Sequence, residues 1–311
     1  MKILIYSLKF SCLVLISLAI SSCGAKQSSP ERVYSSQVIK SDMVWSGRVT
    51  IRGVVVVGRS ATVTITPGTT VLFEKTDSNN DGIGDSEIRV LGRLLARGTH
   101  AEPIFFQSAV ANPQRKDWSY ILFFTSGQVN VVEHCVIKHG FSGLQAHFST
   151  VNIANTTFQD NHEGLRFGRA KLTITNNRFV DNNVGIRFTR MEGPVTISLN
   201  EIRNNRIGVF LVPSGQNTQD FFEPDRSGKP WNTGRLLITR NKISDNSWYN
   251  VSLGEKQFWD LDMINNWWGT VSVSKIRQTV FDQWRDATLG RVILEPVAPQ
   301  AIAEAGPQLK N

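Results

Sequence analysis

The sequence predicts an all-β solenoid, a chain wound into stacked coils of roughly 22 residues whose parallel strands line up from one coil to the next. Three observations predict it. An apolar–x–apolar step recurs at Val129-Asn130-Val131, Val151-Asn152-Ile153, Leu172-Thr173-Ile174, Val195-Thr196-Ile197 and Leu236-Leu237-Ile238, the first four starts lying 22, 21 and 23 residues apart. Five positions after each start stands His134, Thr156, Asn177, Asn200 or Asn241, and two further on an apolar residue, Val136, Phe158, Phe179, Ile202 or Ile243. A polar corner follows in the later four (Asp160-Asn161, Asp181-Asn182, Asn204-Asn205, Asp245-Asn246), and each coil closes on a step such as Gly164-Leu165-Arg166-Phe167 or Gly185-Ile186-Arg187-Phe188. Each unit thus holds three short period-two strands separated by Asn, Asp and Gly, residues that tolerate the left-handed backbone of a sharp corner. Such a unit cannot bury its apolar side alone and must stack. A sandwich would show hairpin spacing near 8–12 residues, and propeller repeats run to about 40 or more.

Taken in chain order, the first segment reads as an address. Lys2 and Lys9 flank a positive start, and Phe10 to Ile20 is an apolar run of 11 residues, shorter than a bilayer span. Leu18-Ala19-Ile20-Ser21-Ser22-Cys23-Gly24 resembles the bacterial lipobox, which implies a signal peptide over 1–22, acylation of Cys23 and a membrane held through lipid. Gly24 after the Cys resembles the outer-membrane sorting pattern, so the expected location is the bacterial cell envelope, at the outer membrane. Residues 23–44 are expected to form a tether and N-terminal cap. Cys135 is then the one free thiol, expected to be a buried apolar residue.

Less regular coils fill 45 to 125: Thr62 to Phe73 is strand, corner, strand, and Ile88 to Thr99 and Pro103-Ile104-Phe105-Phe106 follow. With Trp118-Ser119-Tyr120-Ile121 and the closing Asn266-Trp267-Trp268-Gly269-Thr270, these phrases resemble exported bacterial β-helix repeat proteins. The whole pattern is that of a right-handed parallel β-helix, similar to the pectin-lyase-like superfamily, over 45–297. Both solenoid ends expose strand edges that need cover. Ser274 to Asp286 is predicted to be a short capping helix with Ile276, Val280, Phe281 and Trp284 on one face and Ser272 or Ser274 as its cap. Arg291 to Leu294 completes the cap, and Ala298 to Asn311 (298–311) is expected to be a loose tail.

Two constellations carry chemistry. Asp77, Asn79, Asp81 and Asp85 occupy relative positions 1, 3, 5 and 9, Gly82 is at 6 and Ile83 can offer its carbonyl, the spacing of a loop that wraps a hard cation. A structural Ca²⁺ is therefore expected, although Ile88 stands where an EF-hand has its Glu. Arg166 and Arg187 fall in one column of adjacent coils and should point outward, one strand spacing of about 5 Å apart. Phe210 takes that column in the next coil, Arg169 and Arg190 form a second pair, and Pro213 to Gly234 is a long insertion carrying Phe221, Phe222 and Trp231. Stacked arginines beside aromatics suit an acidic polymer, because guanidinium pairs carboxylate bidentately. The competing reading is a solvated face whose arginines pair with Asp160, Asp181 or Glu163.

Catalytic signatures are absent: no nucleophile elbow, phosphate loop, dinucleotide fingerprint or zinc spacing occurs. His139-Gly140 resembles a polygalacturonase dipeptide without its companions, and His162 stands alone at a corner. Net charge is +8 over 311 residues and falls to +6 without the two leader lysines, too modest, on an exported chain, to suggest nucleic acid. The sequence is thus expected to be a monomeric, membrane-anchored lipoprotein with a non-catalytic glycan-binding or envelope-structural role. The alternative is a polysaccharide lyase or glycoside hydrolase acting on acidic polysaccharide.

Overall fold

The computed structural model describes residues 31–189, 194–212, 236–255 and 257–308. They form a parallel β-helix. Every pairing between named strands is parallel, and a strand pairs with its equivalent in the neighbouring coil, not with its neighbour in sequence. Seven complete three-strand coils run from Thr62 to Leu253, preceded by Met43–Trp45 and Arg48–Val57, and by Arg32–Ile39, which lies along Arg48–Val57.

A first sheet stacks eight strands from Met43–Trp45 to Leu236–Thr239, including Val129–Glu133, Thr150–Ala154 and Lys171–Thr175. A second runs through Cys135–Lys138, Thr157–Gln159, Arg178–Val180, Glu201–Arg203 and Lys242–Ser244. The third contains Glu87–Val90, Trp118–Phe124, Gly140–His147, Glu163–Gly168, Val184–Phe188, Ile207–Leu211 and Tyr249–Leu253.

Phe158, Phe179, Ile202 and Ile243 occupy neighbouring rungs of one interior column, all fully buried. The Phe158 and Phe179 rings stack at 4.8 Å, and Phe167 and Phe188 do the same at 5.2 Å. The first corner holds a buried amide ladder: the Nδ2 of Asn177 donates to Asn200 Oδ1 at 3.0 Å, Asn200 to Asn241 at 2.9 Å and Asn241 to Asn266 at 3.0 Å. A second ladder, Asn161–Asn182–Asn205–Asn246, climbs the next corner with steps of 2.9–3.1 Å. Just before the ladder residues, Asp160, Asp181, Asn204 and Asp245 take left-handed backbone at φ 52 to 57°, so all three Asp residues serve as corner formers.

Three expectations need correction. In the coil at 129, the inward residues are Asn130 and Val132, not Val129 and Val131, and the following strand points Ile137 inward, not Val136. The ladder position falls on Cys135, which is buried, and His134 is a left-handed corner at φ 49°. The slip holds because Asn130, buried without cost only if its amide is satisfied, accepts from Leu94 N at 2.8 Å and donates to Ser126 Oγ at 2.9 Å. The capping helix is shorter than expected, Val273–Gln278, and Ser272 makes no side-chain cap. Val280–Phe281 is a strand on the last rung, because the open edge of Tyr249–Leu253 needs a backbone partner, and Trp284 is exposed. The last expected element, the loose tail, is held along the first corner over its described part, where Gly306 N donates to Leu199 O at 2.8 Å and Gln308 N to Asn155 Oδ1 at 3.0 Å.

Candidate functional site

The third sheet presents an outer face that combines most of the singled-out residues. In Glu163–Gly168 and Val184–Phe188 the period-two pattern turns Leu165, Phe167, Ile186 and Phe188 into the core, leaving Arg166 and Arg187 outside. The two arginines are register partners on adjacent rungs, and Phe210 follows Arg187 in the same column. Below Arg166 the column continues through Gln145, Leu122 and Arg89. Gly164 lets these strands approach: a Cβ there would lie 2.6 Å from the Gly185 carbonyl oxygen.

Two columns flank this centre. On one side Tyr120, Ser142 and Glu163 are register partners, and on the other Phe124, His147 and Gly168. Glu163 is only 1% exposed, and its two oxygens are engaged by Arg187 Nη1 at 2.6 Å and Ser142 Oγ at 2.8 Å. Gln145 Nε2 donates to the same hydroxyl oxygen at 3.0 Å. Arg187 lies 6.0 Å from the Phe210 ring centre and keeps a buried Nε without a hydrogen-bond partner. Glu87 is likewise buried and paired with Arg89.

Burial, reinforced by Glu87, pushes the Tyr120 hydroxyl up to about 12. Burial, then the positive charge of Arg166, lowers His147 to about 4. Both groups are therefore neutral at pH 7, and neither sits near the value a general acid or base needs there. The face carries three guanidinium groups, on Arg89, Arg166 and Arg187, against the carboxylates of Glu87 and Glu163.

A loop, 109–117, flanks the corner next to Tyr120, Ser142 and Glu163. It climbs far enough for Arg115 Nη2 to donate to Asp181 O at 2.6 Å. His162 stacks on Phe141 at 5.1 Å. Its pKa is lowered by burial and then by Lys116, with Arg187 and Arg115 adding to the effect, so this edge of the face is basic. His139 is a corner residue at φ 68°, also lowered, chiefly by burial.

Of the residues singled out from sequence, Arg166, Arg187 and Phe210 come together as expected, and the pairing of Arg187 with Glu163 is the one the competing reading named. Arg169 is a left-handed corner at φ 49° just beyond the strand. Arg190, Trp231 and Cys23 lie outside the described residues, as do the leader and most of the insertion. Gln145, His147, Ser142 and the Arg115-Lys116 edge were missed, although Gln145 follows from extending the arginine column one rung down.

The loop at 77–85 is a separate feature. Asp77 Oδ1 and Asn79 Oδ1 both accept from Asp81 N, at 3.1 and 3.2 Å, so two of the candidate oxygens converge on one point. Gly82, at φ 78°, folds the loop back, and its amide donates to Asp77 Oδ2 at 3.0 Å. Asp81 Oδ1 accepts from Ile83 N, and Asp85 Oδ2 from Ser78 N and Oγ, each at 2.8 Å. Among the described residues, no three His, Cys, Asp or Glu side chains converge as a metal-holding group.

Compared with known proteins, residues 119–266 match the family described as the right handed beta helix region. No curated protein and no solved structure matches the chain.

Proposed function

We propose that this chain, a right-handed parallel β-helix repeat protein, is a non-catalytic glycan-binding component of the cell envelope that holds acidic polysaccharide on the outer face of its third sheet. The observation that carries the reading is the register of Arg166 on Arg187, with Phe210 beyond and Arg115 and Lys116 along one edge. Guanidinium groups one rung apart offer forked donors to successive carboxylates of a polymer, and the Phe210 ring offers a sugar an apolar face. The carboxylates on this face, Glu87 and Glu163, are bound to arginines, an arrangement that favours binding over acid–base chemistry. Retention on an array of acidic and neutral glycans tests the reading. The wild type should be held by acidic members, and Arg166→Ala with Arg187→Ala should release it. Equal retention of both proteins would remove the idea, and formation of unsaturated uronate product would replace it with the lyase reading.

The same reading includes anchorage through acylated Cys23, supported by the small residues before it; Cys23→Ser should abolish lipid labelling and release the protein from membranes. It also includes a structural Ca²⁺ held by Asp77, Asn79, Asp81, Asp85 and the Ile83 carbonyl, supported by the spacing of these donors and by Asp77 Oδ1 and Asn79 Oδ1 meeting at the Asp81 amide. A chelator should lower the melting temperature of the wild type and leave that of Asp81→Ala unchanged.

A further inference from the structure

The first rung of the solenoid has one open side. Arg32–Ile39 pairs with Arg48–Val57, and among the described residues no strand lies along its other edge. The last rung, by contrast, is covered by Val280–Phe281. Arg32–Ile39 bends round a corner at Ser36, where φ is 33°, and its register slips there. Val33 and Val38 stand on either side of the corner and are 49% and 51% exposed. Both side chains point outward, because Tyr34 and Ile39 next to them are buried in the core.

Both valines also turn their backbone to the open edge. Ile39 O accepts from Gly58 N at 2.9 Å, so Ile39 faces Arg48–Val57 and Val38 faces away from it. Ile51 O accepts from Glu74 N at 2.9 Å, on the side away from Arg32–Ile39. Its register partner Tyr34 therefore bonds to Arg48–Val57, and Val33 faces the open edge. An edge that presents N–H and C=O groups beside exposed β-branched side chains is a template for another strand.

The segment is complementary to itself. Set antiparallel to a copy about a two-fold axis through the corner, Val33 meets Val38, and Glu31 meets Lys40. In a straight strand, residues 33 and 38 would lie on opposite faces; the slip at the corner puts both on the outer one. Glu31 and Lys40 are exposed, and Glu31 also meets Arg48 at 3.5 Å. We propose that the open edge binds a second copy of this chain, giving an end-to-end dimer in place of the monomer expected from sequence. Val33 of each copy exchanges two backbone hydrogen bonds with Val38 of the other, their side chains pack together, and a Glu31–Lys40 pair closes each end. The contact uses the same patch on both copies, so it closes at two.

Sedimentation equilibrium of the full chain tests this. The wild type should be dimeric and dissociate on dilution. Val38→Pro removes an N–H that pairing within the chain does not use, and should weaken dimerisation about tenfold or more. Its melting temperature, read at a dilution where both proteins are monomers, checks that it is folded. Glu31→Lys and Lys40→Glu should each weaken self-association about threefold or more, by opposing like charges. An equimolar mixture of these two variants should recover dimers, because every facing pair is again opposite in sign. A wild type that stays monomeric at all concentrations would overturn the proposal. A dimer indifferent to Val38→Pro and to the charge exchange would place the contact elsewhere and overturn it too.

Discussion

Leu199 sits in left-handed backbone at φ 57°, in the corner column that Asn155, Asn176, Arg240 and Asn265 also occupy. A leucine there carries a steric cost that Asn largely avoids. Leu199→Asn should therefore stabilise the protein by about 0.5–1 kcal/mol, read as a shift in the denaturant midpoint at constant slope. Glu201 shows a different balance. Burial alone would raise its pKa, but the Arg178 hydrogen bond and the charges of Arg178, Arg203 and Lys242 together hold it below the ordinary carboxylate value. Its folded-state value being depressed, its contribution is full above the unfolded value and disappears as pH falls through the folded one. The stability gap between wild type and Glu201→Gln should thus be widest at pH 7 and close as pH falls below 4. A gap that stayed constant would show that the network adds nothing through charge. At this scale the sequence was informative wherever one residue type recurred at fixed spacing: Asn177, Asn200 and Asn241 stood out as a column. Asn161 and Asn182 were visible only as corners, because the Asp before each supplies an equally good turn former.

At the scale of elements, the misreadings share a cause: local pattern is degenerate where long-range backbone pairing decides. Val129-Asn130-Val131-Val132 fits two registers, and apolar count favours the wrong one. The correct register follows from Asn130 finding Ser126 Oγ in the preceding turn and, above all, Leu94 N on an earlier coil that the local sequence cannot show. The segment after Ser272 has helical periodicity through Trp284, yet the backbone at 279–281 is drawn into the edge of the last rung, where Asn250 N donates to Thr279 O at 2.8 Å. The short helix keeps one buried anchor, Ile276. Ile276→Ala should cost about 2–4 kcal/mol, whereas Trp284→Ala, at an exposed position, should stay within about 0.5 kcal/mol. Similar losses from both in thermal unfolding would restore the longer amphipathic helix.

For the whole molecule, stacking turns a local alternation into a surface with repeated chemistry. Because each coil adds one strand spacing, an arginine in one coil meets its equivalent directly above, and the outer face of the third sheet becomes a graded strip from Arg89 to Phe210. That strip was legible for Arg166 and Arg187, whose coils share the Gly-x-Arg-Phe step. It was not legible for the buried neutral His147 or for loop 109–117, whose place beside the strip is set by a contact to Asp181 three coils on. On the proposed reading this strip binds an acidic polymer through guanidinium groups partly offset by Glu163. Calorimetric titration of the full chain with an acidic uronate oligosaccharide tests it most directly. Removing both Arg166 and Arg187 should weaken binding about tenfold or more, and Glu163→Gln, which leaves Arg187 uncompensated, should tighten it. Affinity unchanged by the loss of both arginines would contradict the account.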